Sequence, residues 1–167
     1  FPRPMNTPLV PAEWSPHRAM WLGFPSHADL WREDLGQAQD EVAALAIALA
    51  GPGEERVRLM VCGDDAEAAA RARLDGVAGV EIVRALFGDI WMRDTGPIFR
   101  NDGHAAGFRF NGWGGKFEME GDDQVAAQIA AASGAPLDAN TFILEGGALD
   151  HDGLATVLTT RKCLLNA

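Results

Sequence analysis

The sequence is poor in cysteine, in basic side chains and in long apolar runs, and each shortage excludes a class of protein. Two cysteines, Cys62 and Cys163, are too few for a disulfide scaffold and are typical of a reducing compartment. The longest apolar run covers residues 42–50, whereas a membrane-spanning helix requires about 20 residues, so no membrane partner is expected. Residues 1–11 lack the apolar core of a secretory signal. We therefore predict a cytoplasmic protein.

Acidic residues outnumber basic ones by 24 to 14, which gives a formal net charge of -10. A nucleic-acid partner requires a basic face, so none is expected. A cationic substrate, by contrast, would be attracted by the field of such a protein. Hydrophobic residues make up 47% of the 167 residues, which predicts a globular chain that can bury a core within one domain.

Apolar periodicity in the first half of the chain predicts alternating strands and helices. The predicted elements are strand 18–24, helix 34–50, strand 56–62, helix 65–74 and strand 80–84. This β-α-β-α-β order indicates an α/β fold.

The second half contains an internal repeat with a period of 50 residues. Strand–turn–strand patterns built on an Asp-Gly turn lie at 96–110 and 146–160, separated by a helix that Asp122 and Asp123 are expected to cap. Such a period indicates a circular or stacked array of repeated modules. An acidic residue precedes each hairpin, Asp94 in one copy and Glu145 in the other. Rotation of one copy onto the other would bring these two carboxylates to a common cavity.

One segment, GDIWMRDTGP at 88–97, places an indole, a guanidinium and a carboxylate within four positions. We expect an alternating strand here, with Trp91 and Arg93 on one face and Met92 and Asp94 on the other. Asp94 would lie where the strand ends, either as a binding group or as a turn former.

These residue types suit a flat cation. Carboxylates hold a planar guanidinium or amidine in bidentate contact, and the face of an indole adds a cation–π attraction of roughly 0.5–2 kcal/mol. The predicted substrate-binding residues are Asp94, Glu145 and Trp91, with Trp113 in a glycine-rich loop as a second wall.

Other kinds of site fit the sequence less well. The loop at 111–116 lacks the first glycine and the final Ser or Thr of a phosphate-binding P-loop, so no nucleotide is expected. Residues 150–153 resemble the start of a calcium loop, but a third ligand and the glutamate at the twelfth position are missing. The four histidines have neither i,i+4 pairing nor cysteine neighbours. We predict no metal and no cofactor.

Five blocks of sequence, in the same order along nearly the whole chain, resemble agmatine deiminases. They lie at 11–25 (PAEWSPH, then WLGFP), 90–97 (IWMRDTGP), 110–116 (FNGWGGK), 144–147 (LEGG) and 158–166 (LTTRKCLLN). The chain is accordingly identified as a member of the group that includes agmatine deiminases and bacterial peptidylarginine deiminases. This resemblance implies the pentein fold, an α/β propeller of five αβ modules around a pseudo-fivefold axis.

The resemblance implies a hydrolase that converts agmatine and water to N-carbamoylputrescine and ammonia, a step of putrescine and polyamine biosynthesis. In this family a cysteine thiolate attacks the guanidinium carbon, ammonia leaves, and water resolves a thiouronium adduct with histidine as acid and base. By motif position, Asp94 resembles the first of two carboxylates that grip the substrate, and Trp91 resembles part of the pocket wall. Glu145 is expected in or behind the pocket; the alternative is a turn residue whose carboxylate caps backbone amides.

The resemblance covers only the N-terminal portion of the family's sequence. The nucleophilic cysteine, the histidine and the second guanidinium-binding aspartate lie beyond the matched stretch, so no catalytic residue is expected before Ala167. Neither Cys62 nor Cys163 has the positive partner that cysteine chemistry requires. We expect residues 1–167 to be a fragment, an incomplete pentein domain that is inactive alone and has open apolar edges. Met5 is a candidate native start, which would make residues 1–4 a remnant of cloning.

Three alternatives remain open at this stage. One is a peptidylarginine deiminase acting on protein arginine. Another is a module that binds guanidino ligands without turning them over. The third is a structural fragment that pairs its open edges in a homo-oligomer.

Overall fold

The computed structural model describes residues 9–154 and 156–165. The expected cloning remnant at 1–4 and Asn166 of the fifth block lie outside the described residues. The strands are β1 (Met20–Gly23), β2 (Val57–Val61), β3 (Val80–Arg84), β4 (Ile98–Phe99), β5 (Ala105–Arg109), β6 (Leu137–Ile143), β7 (Asp150–His151) and β8 (Val157–Leu158). The helices are α1 (Ala28–Trp31), α2 (Leu35–Ala50), α3 (Asp64–Leu74), α4 (Met92–Thr95), α5 (Gly112–Gly115), α6 (Val125–Ala132) and α7 (Arg161–Leu164).

The first unit, β1 to β3 with α2 and α3, confirms the β-α-β-α-β prediction. Its three strands are parallel in the order β1-β2-β3. Because side chains alternate along β2, Leu59 packs against small residues of the two helices, including Ala46 and Ala70. Met60, on the opposite face, packs against Ile129 of α6 in the second unit. A strand that is buried on both faces therefore joins the two units.

The second unit contains β4, β5 and β6 with α6 as the crossover helix. The hairpin predicted at 96–110 is confirmed, since β4 and β5 are antiparallel. The second hairpin is confirmed by the antiparallel pair β7 and β8. Strand β6 was not predicted from the sequence. It pairs in parallel with β5, and its polar residues, such as the exposed Asp138 and the half-buried Asn140, hide the apolar alternation that would mark a strand.

The alternating strand predicted around Trp91 is wrong. The carbonyl of Trp91 accepts hydrogen bonds from the backbone N–H of Asp94 (3.0 Å) and of Thr95 (3.1 Å), which closes the single helical turn α4. This turn lies close against β1, because a Cβ on Gly23 would stand 2.7 Å from Cα of Ile90. Side chains of a helical turn project about 100° apart, so the expected sharing of faces does not hold.

Asp122 does not cap α6 as the sequence predicted. A 3-10 turn, Asp122–Gln124, precedes that helix, and neither it nor α6 has a side-chain cap. One carboxylate oxygen of Asp122 accepts hydrogen bonds from the N–H of Gly88 (2.7 Å) and of Asp89 (3.2 Å). The residue is only 2% exposed, and its other oxygen has no partner among the described residues. Burial raises the pKa of Asp122, with the charge of Asp89 as a smaller contribution.

The raised pKa of Asp122 predicts a stabilising substitution. The ionised form is disfavoured in the folded state, so ionised Asp122 lowers the free energy of unfolding. This loss is complete above the folded-state pKa and absent below the unfolded pKa of about 4. Asp122→Asn keeps an acceptor oxygen and removes the charge. We expect this variant to unfold at higher urea concentration than the parent at pH 7, with the difference shrinking as the pH approaches about 4. The exposed neighbour offers a control, Asp123→Asn, and equal midpoints for Asp122→Asn and the parent at pH 7 would contradict the prediction.

Candidate functional site

Asp94 lies where three separate segments of the chain meet. Its Oδ2 accepts a hydrogen bond from the indole Nε1 of Trp113 (3.1 Å), and its Oδ1 accepts one from the backbone N–H of Gly147 (3.1 Å). Gly147 is two residues beyond Glu145, so the two halves of the internal repeat touch at this carboxylate. Asp94 therefore contacts the Glu-Gly-Gly block, and the convergence of the Asp94 and Glu145 carboxylates on one cavity stays a prediction.

The Asp94 carboxylate has capacity for a further ligand. An ionised carboxylate offers about four lone-pair positions, and the two bonds to Trp113 and Gly147 use two of them. The residue is half-buried, so the remaining positions keep a route to the surface. A planar cation with two N–H groups is the ligand that such a carboxylate binds best.

The glycine-rich loop that carries Trp113 contains α5, which is a left-handed turn and not a right-handed helix. Four consecutive residues have positive φ: Gly112 (65°), Trp113 (54°), Gly114 (80°) and Gly115 (76°). The Asn111 side chain closes the loop by accepting a hydrogen bond from Gly114 N (2.9 Å). A bulky residue in this left-handed region costs of order 1–3 kcal/mol, and such strain concentrates at functional sites.

The ring of Trp113 is held by its neighbours. Phe110 and Phe117 meet it edge to face, with ring centroids 4.9 Å and 6.2 Å away. Together with the bond from Nε1 to Asp94, these contacts make Trp113 a support for the carboxylate at least as much as a wall of the site. The sequence prediction named Trp113 as a wall and did not foresee the bond to Asp94.

Trp91 occupies the position before α4, and its indole is 53% exposed. Its Nε1 donates to Oδ2 of Asp89 (2.9 Å), while Oδ1 of Asp89 accepts from the N–H of Ile90 (2.7 Å). The edge of the indole is therefore tethered to Asp89, a partner that the sequence prediction missed. The indole keeps more than half of its surface open, as a cation–π partner requires.

Glu145 precedes the 3-10 turn Gly146–Ala148 and is half-buried. Its side chain makes no capping hydrogen bond to that turn, so the alternative of a capping carboxylate finds no support here. The placement of Glu145 in the substrate site stays a prediction.

Two glycines that sequence reasoning did not assign to the site allow the halves to touch. A Cβ on Gly146 would lie 2.3 Å from the carbonyl oxygen of Arg93, and one on Gly147 would lie 2.2 Å from Oδ1 of Asp94. Both distances are far shorter than any real carbon contact. The available signal was the Gly-Gly doublet directly after Glu145.

An N-terminal strap, defined here as residues 9–17, crosses the site's edge. Glu13 of the strap receives two parallel hydrogen bonds from Arg93, with Nη1–Oε1 at 2.8 Å and Nη2–Oε2 at 2.9 Å. The hydrogen bond from Arg93 holds the pKa of Glu13 below its usual range, with smaller contributions from the charges of Arg93, His151 and His17. Glu13 was quoted in a sequence motif but given no role, because 80 residues separate it from Arg93.

Neither cysteine has the surroundings of a nucleophile. Cys62 is half-buried at the end of β2, where its N–H donates to Ser26, and Cys163 is exposed beside the Thr160 hydroxyl (3.0 Å). Within 9–154 and 156–165, no hydrogen bond joins a cysteine to a histidine, and no group of three or more His, Cys, Asp or Glu side chains could hold a metal ion. No helix among these residues is long and apolar enough to cross a membrane.

Comparison with known proteins gives a consistent family. The model of Porphyromonas-type peptidyl-arginine deiminases matches residues 9–167. The agmatine deiminase of Pseudomonas aeruginosa is 38% identical over 178 residues, covering 98% of this chain and 47% of that protein. The agmatine deiminase of Stutzerimonas stutzeri is 36% identical over 168 residues, covering 94% and 44%. The chain therefore spans about half the length of the curated relatives it matches.

A solved structure of similar fold is that of C. jejuni agmatine deiminase, a cysteine-to-serine variant with substrate bound. It superposes with a TM-score of 0.82 at 28% identity, covering 96% of this chain and 47% of that one. The repeated αβ modules described above are thus those of the pentein fold, as the resemblance implied.

Proposed function

The chain belongs to the Porphyromonas-type peptidyl-arginine deiminase family, and from this premise we propose that it carries part of the substrate site of an agmatine deiminase. The proposed reaction hydrolyses agmatine to N-carbamoylputrescine and ammonia. The observation that supports it is the state of Asp94, a half-buried carboxylate fixed through both oxygens by N–H donors from other segments. A group fixed in this way meets a cation without being ordered first, which is how a site favours a transition state.

We assign the roles as follows. Asp94 binds two N–H groups of the guanidinium, and Glu145 adds a second negative charge beside it. Trp91 offers an aromatic face to the cation, while Trp113 holds Asp94 through its indole N–H. The cysteine and histidine that perform the chemistry come from outside residues 1–167, which form an incomplete pentein domain.

The thiolate of that cysteine adds to the guanidinium carbon, and the C–N bond to the leaving nitrogen breaks. The nitrogen takes a proton from the histidine and departs as ammonia. Water, deprotonated by the same histidine, then attacks the thiouronium carbon, which releases the ureido product and restores the thiolate. Asp94 and Glu145 hold the positive charge in place through both steps.

We propose agmatine as the substrate because the curated relatives reported above are agmatine deiminases. The family description favours peptidyl arginine as a second candidate. The acidic net charge of -10 attracts either cation and does not distinguish them. We further propose a cytoplasmic enzyme that requires neither cofactor nor metal.

The test is product analysis with the natural full-length protein. We expect ammonia and N-carbamoylputrescine from agmatine, and no turnover by residues 1–167 alone. Citrulline formation in an arginine-containing peptide without agmatine turnover would favour the second candidate. Saturable agmatine binding by the full-length protein without any ammonia would favour a binding module and overturn the proposed reaction.

A further inference from the structure

Arg93 presents the protein's own guanidinium beside a site proposed to bind guanidinium groups. It directly precedes Asp94, and its alkyl stem runs along the Glu-Gly-Gly block. The place where a Cβ on Gly147 would stand is 3.6 Å from Cγ of Arg93 and 2.2 Å from Oδ1 of Asp94. Cγ of Arg93 and Oδ1 of Asp94 therefore both lie beside Gly147.

We propose that Glu13 is a positioning residue that keeps the Arg93 guanidinium out of the substrate site. The inference rests on the proposed function, because it takes Asp94 as a guanidinium-binding carboxylate. Glu13 holds Arg93 through a bidentate pair, the arrangement in which a guanidinium is most firmly oriented. The pair holds the Arg93 guanidinium at the strap.

The strap is anchored well enough to act in this way. The N–H of Leu9 donates to the Asn101 side chain and the N–H of Asn101 donates to the carbonyl of Leu9, both at 2.9 Å. The carbonyl of Glu13 bonds to the ring of His17 (2.9 Å), and the other ring nitrogen of His17 contacts Glu55 (3.1 Å). Glu13 therefore sits between attachments to the second and the first unit of the fold.

Between Leu9 and Glu13, the strap also meets the second hairpin. A Cβ on Gly153 would lie 2.4 Å from the backbone nitrogen of Ala12. The attachments on both sides of Glu13 leave its carboxylate little freedom to follow Arg93 elsewhere. The pair itself is only partly shielded, with 62% of the Arg93 side chain and 51% of the Glu13 side chain exposed. A pair this exposed contributes little to the free energy of folding, so a role in orientation explains it better than one in stability.

Without Glu13, the guanidinium of Arg93 becomes an intramolecular competitor of the substrate. A tethered group reaches an effective concentration in the millimolar range or above, which matches or exceeds an ordinary substrate concentration. Competition of this kind raises the apparent KM and leaves kcat unchanged, because saturating substrate displaces the competitor.

The experiment is a rescue in the natural full-length protein. We expect Glu13→Ala to raise KM for agmatine by about tenfold at unchanged kcat, on the effective-concentration argument above. Arg93→Met keeps most of the stem and removes the competitor, so the double variant Glu13→Ala/Arg93→Met should return to the parent KM. A merely structural role for Glu13 would not be rescued by a second truncation. A double variant as impaired as Glu13→Ala alone would overturn the proposal.

A matched control removes a carboxylate from another arginine pair. Asp40 of α2 pairs with Arg73 of α3 at 2.6 Å, and Asp40→Ala should leave KM unchanged. Glu13→Gln, which keeps the shape of the side chain, serves if Glu13→Ala is poorly folded.

A second readout needs no substrate and so separates this inference from the proposed function. The indole N–H of Trp113 bonds to Asp94, and its NMR signal, assigned with Trp113→Phe, reports any new partner of that carboxylate. We expect the signal to shift in Glu13→Ala and to return in the double variant. If the signal does not shift in Glu13→Ala, the inference is overturned even if agmatine is turned over. A shift without agmatine turnover would support the positioning role of Glu13 and reject only the proposed reaction.

Discussion

Asp94→Asn should lower kcat/KM for agmatine by about 30- to 5,000-fold in the natural full-length protein. This corresponds to about 2–5 kcal/mol, the cost of removing one partner from a hydrogen-bonded charge pair that is shielded from water. The substitution keeps the shape of the side chain and removes the charge that matches the guanidinium. Steady-state kinetics with agmatine measure the effect directly.

The structure adds a second consequence for the same variant. Both carboxylate oxygens of Asp94 accept from N–H donors, but an asparagine has only one acceptor oxygen. Its amide nitrogen must therefore face either the indole N–H of Trp113 or the N–H of Gly147. We expect a loss of about 1–3 kcal/mol in unfolding free energy, measurable by urea denaturation.

The control for Asp94→Asn removes one negative charge elsewhere. Asp65 is exposed on α3, and Asp65→Asn should leave both kcat/KM and stability close to those of the parent. If Asp94→Asn binds agmatine as tightly as the parent does, the role assigned to Asp94 is wrong. Loss of binding in a variant that its urea transition shows to be still folded would support the role most directly.

The proximity of Asp94 to the Glu-Gly-Gly block could be predicted because an acidic residue precedes each hairpin of the internal repeat. Periodicity likewise located the elements of the first unit, whose buried strand β2 and alanine-rich helices carry strong patterns. The local form of the segment around Trp91 could not be predicted. Its alternation of residue types suits a strand, but close packing on Gly23 and the bonds to the Trp91 carbonyl impose a turn.

The partners of the site residues were beyond sequence reasoning for a different reason. Asp89 and Glu13 are acidic residues in a chain rich in such residues, so nothing in their local pattern marks the bonds that they make. Their roles come from contacts made in the folded chain, 80 residues away for the bond from Arg93 to Glu13. Strand β6 was missed on similar grounds, because pairing with β5 and not its own polar sequence makes it a strand. Sequence pattern predicts which residues form the candidate site, and tertiary contacts decide how each side chain is held there.

The two adjacent glycines of the Glu-Gly-Gly block should respond differently to the same substitution. In Gly146→Ala the new Cβ meets the backbone carbonyl of Arg93 at 2.3 Å, and backbone cannot move aside without displacing α4. Overpacking of this kind costs about 1–3 kcal/mol, so we expect a clear fall in the urea midpoint together with reduced activity.

In Gly147→Ala the new Cβ meets side-chain atoms and no backbone: Oδ1 of Asp94 at 2.2 Å, Cγ of Asp94 at 3.3 Å and Cγ of Arg93 at 3.6 Å. The Asp94 carboxylate can move away by rotation. The fold should survive with near-native stability, but the carboxylate is displaced from its bond to Gly147 N. A shift of about 1 Å at a binding group costs roughly 100-fold in rate, which we expect in kcat/KM. Gly36→Ala is the matched control, since nothing lies within 4 Å of its Cβ on α2. It should be as active as the parent and up to about 1 kcal/mol more stable. Native activity in Gly147→Ala would mean that the contact between the halves does not set the position of Asp94.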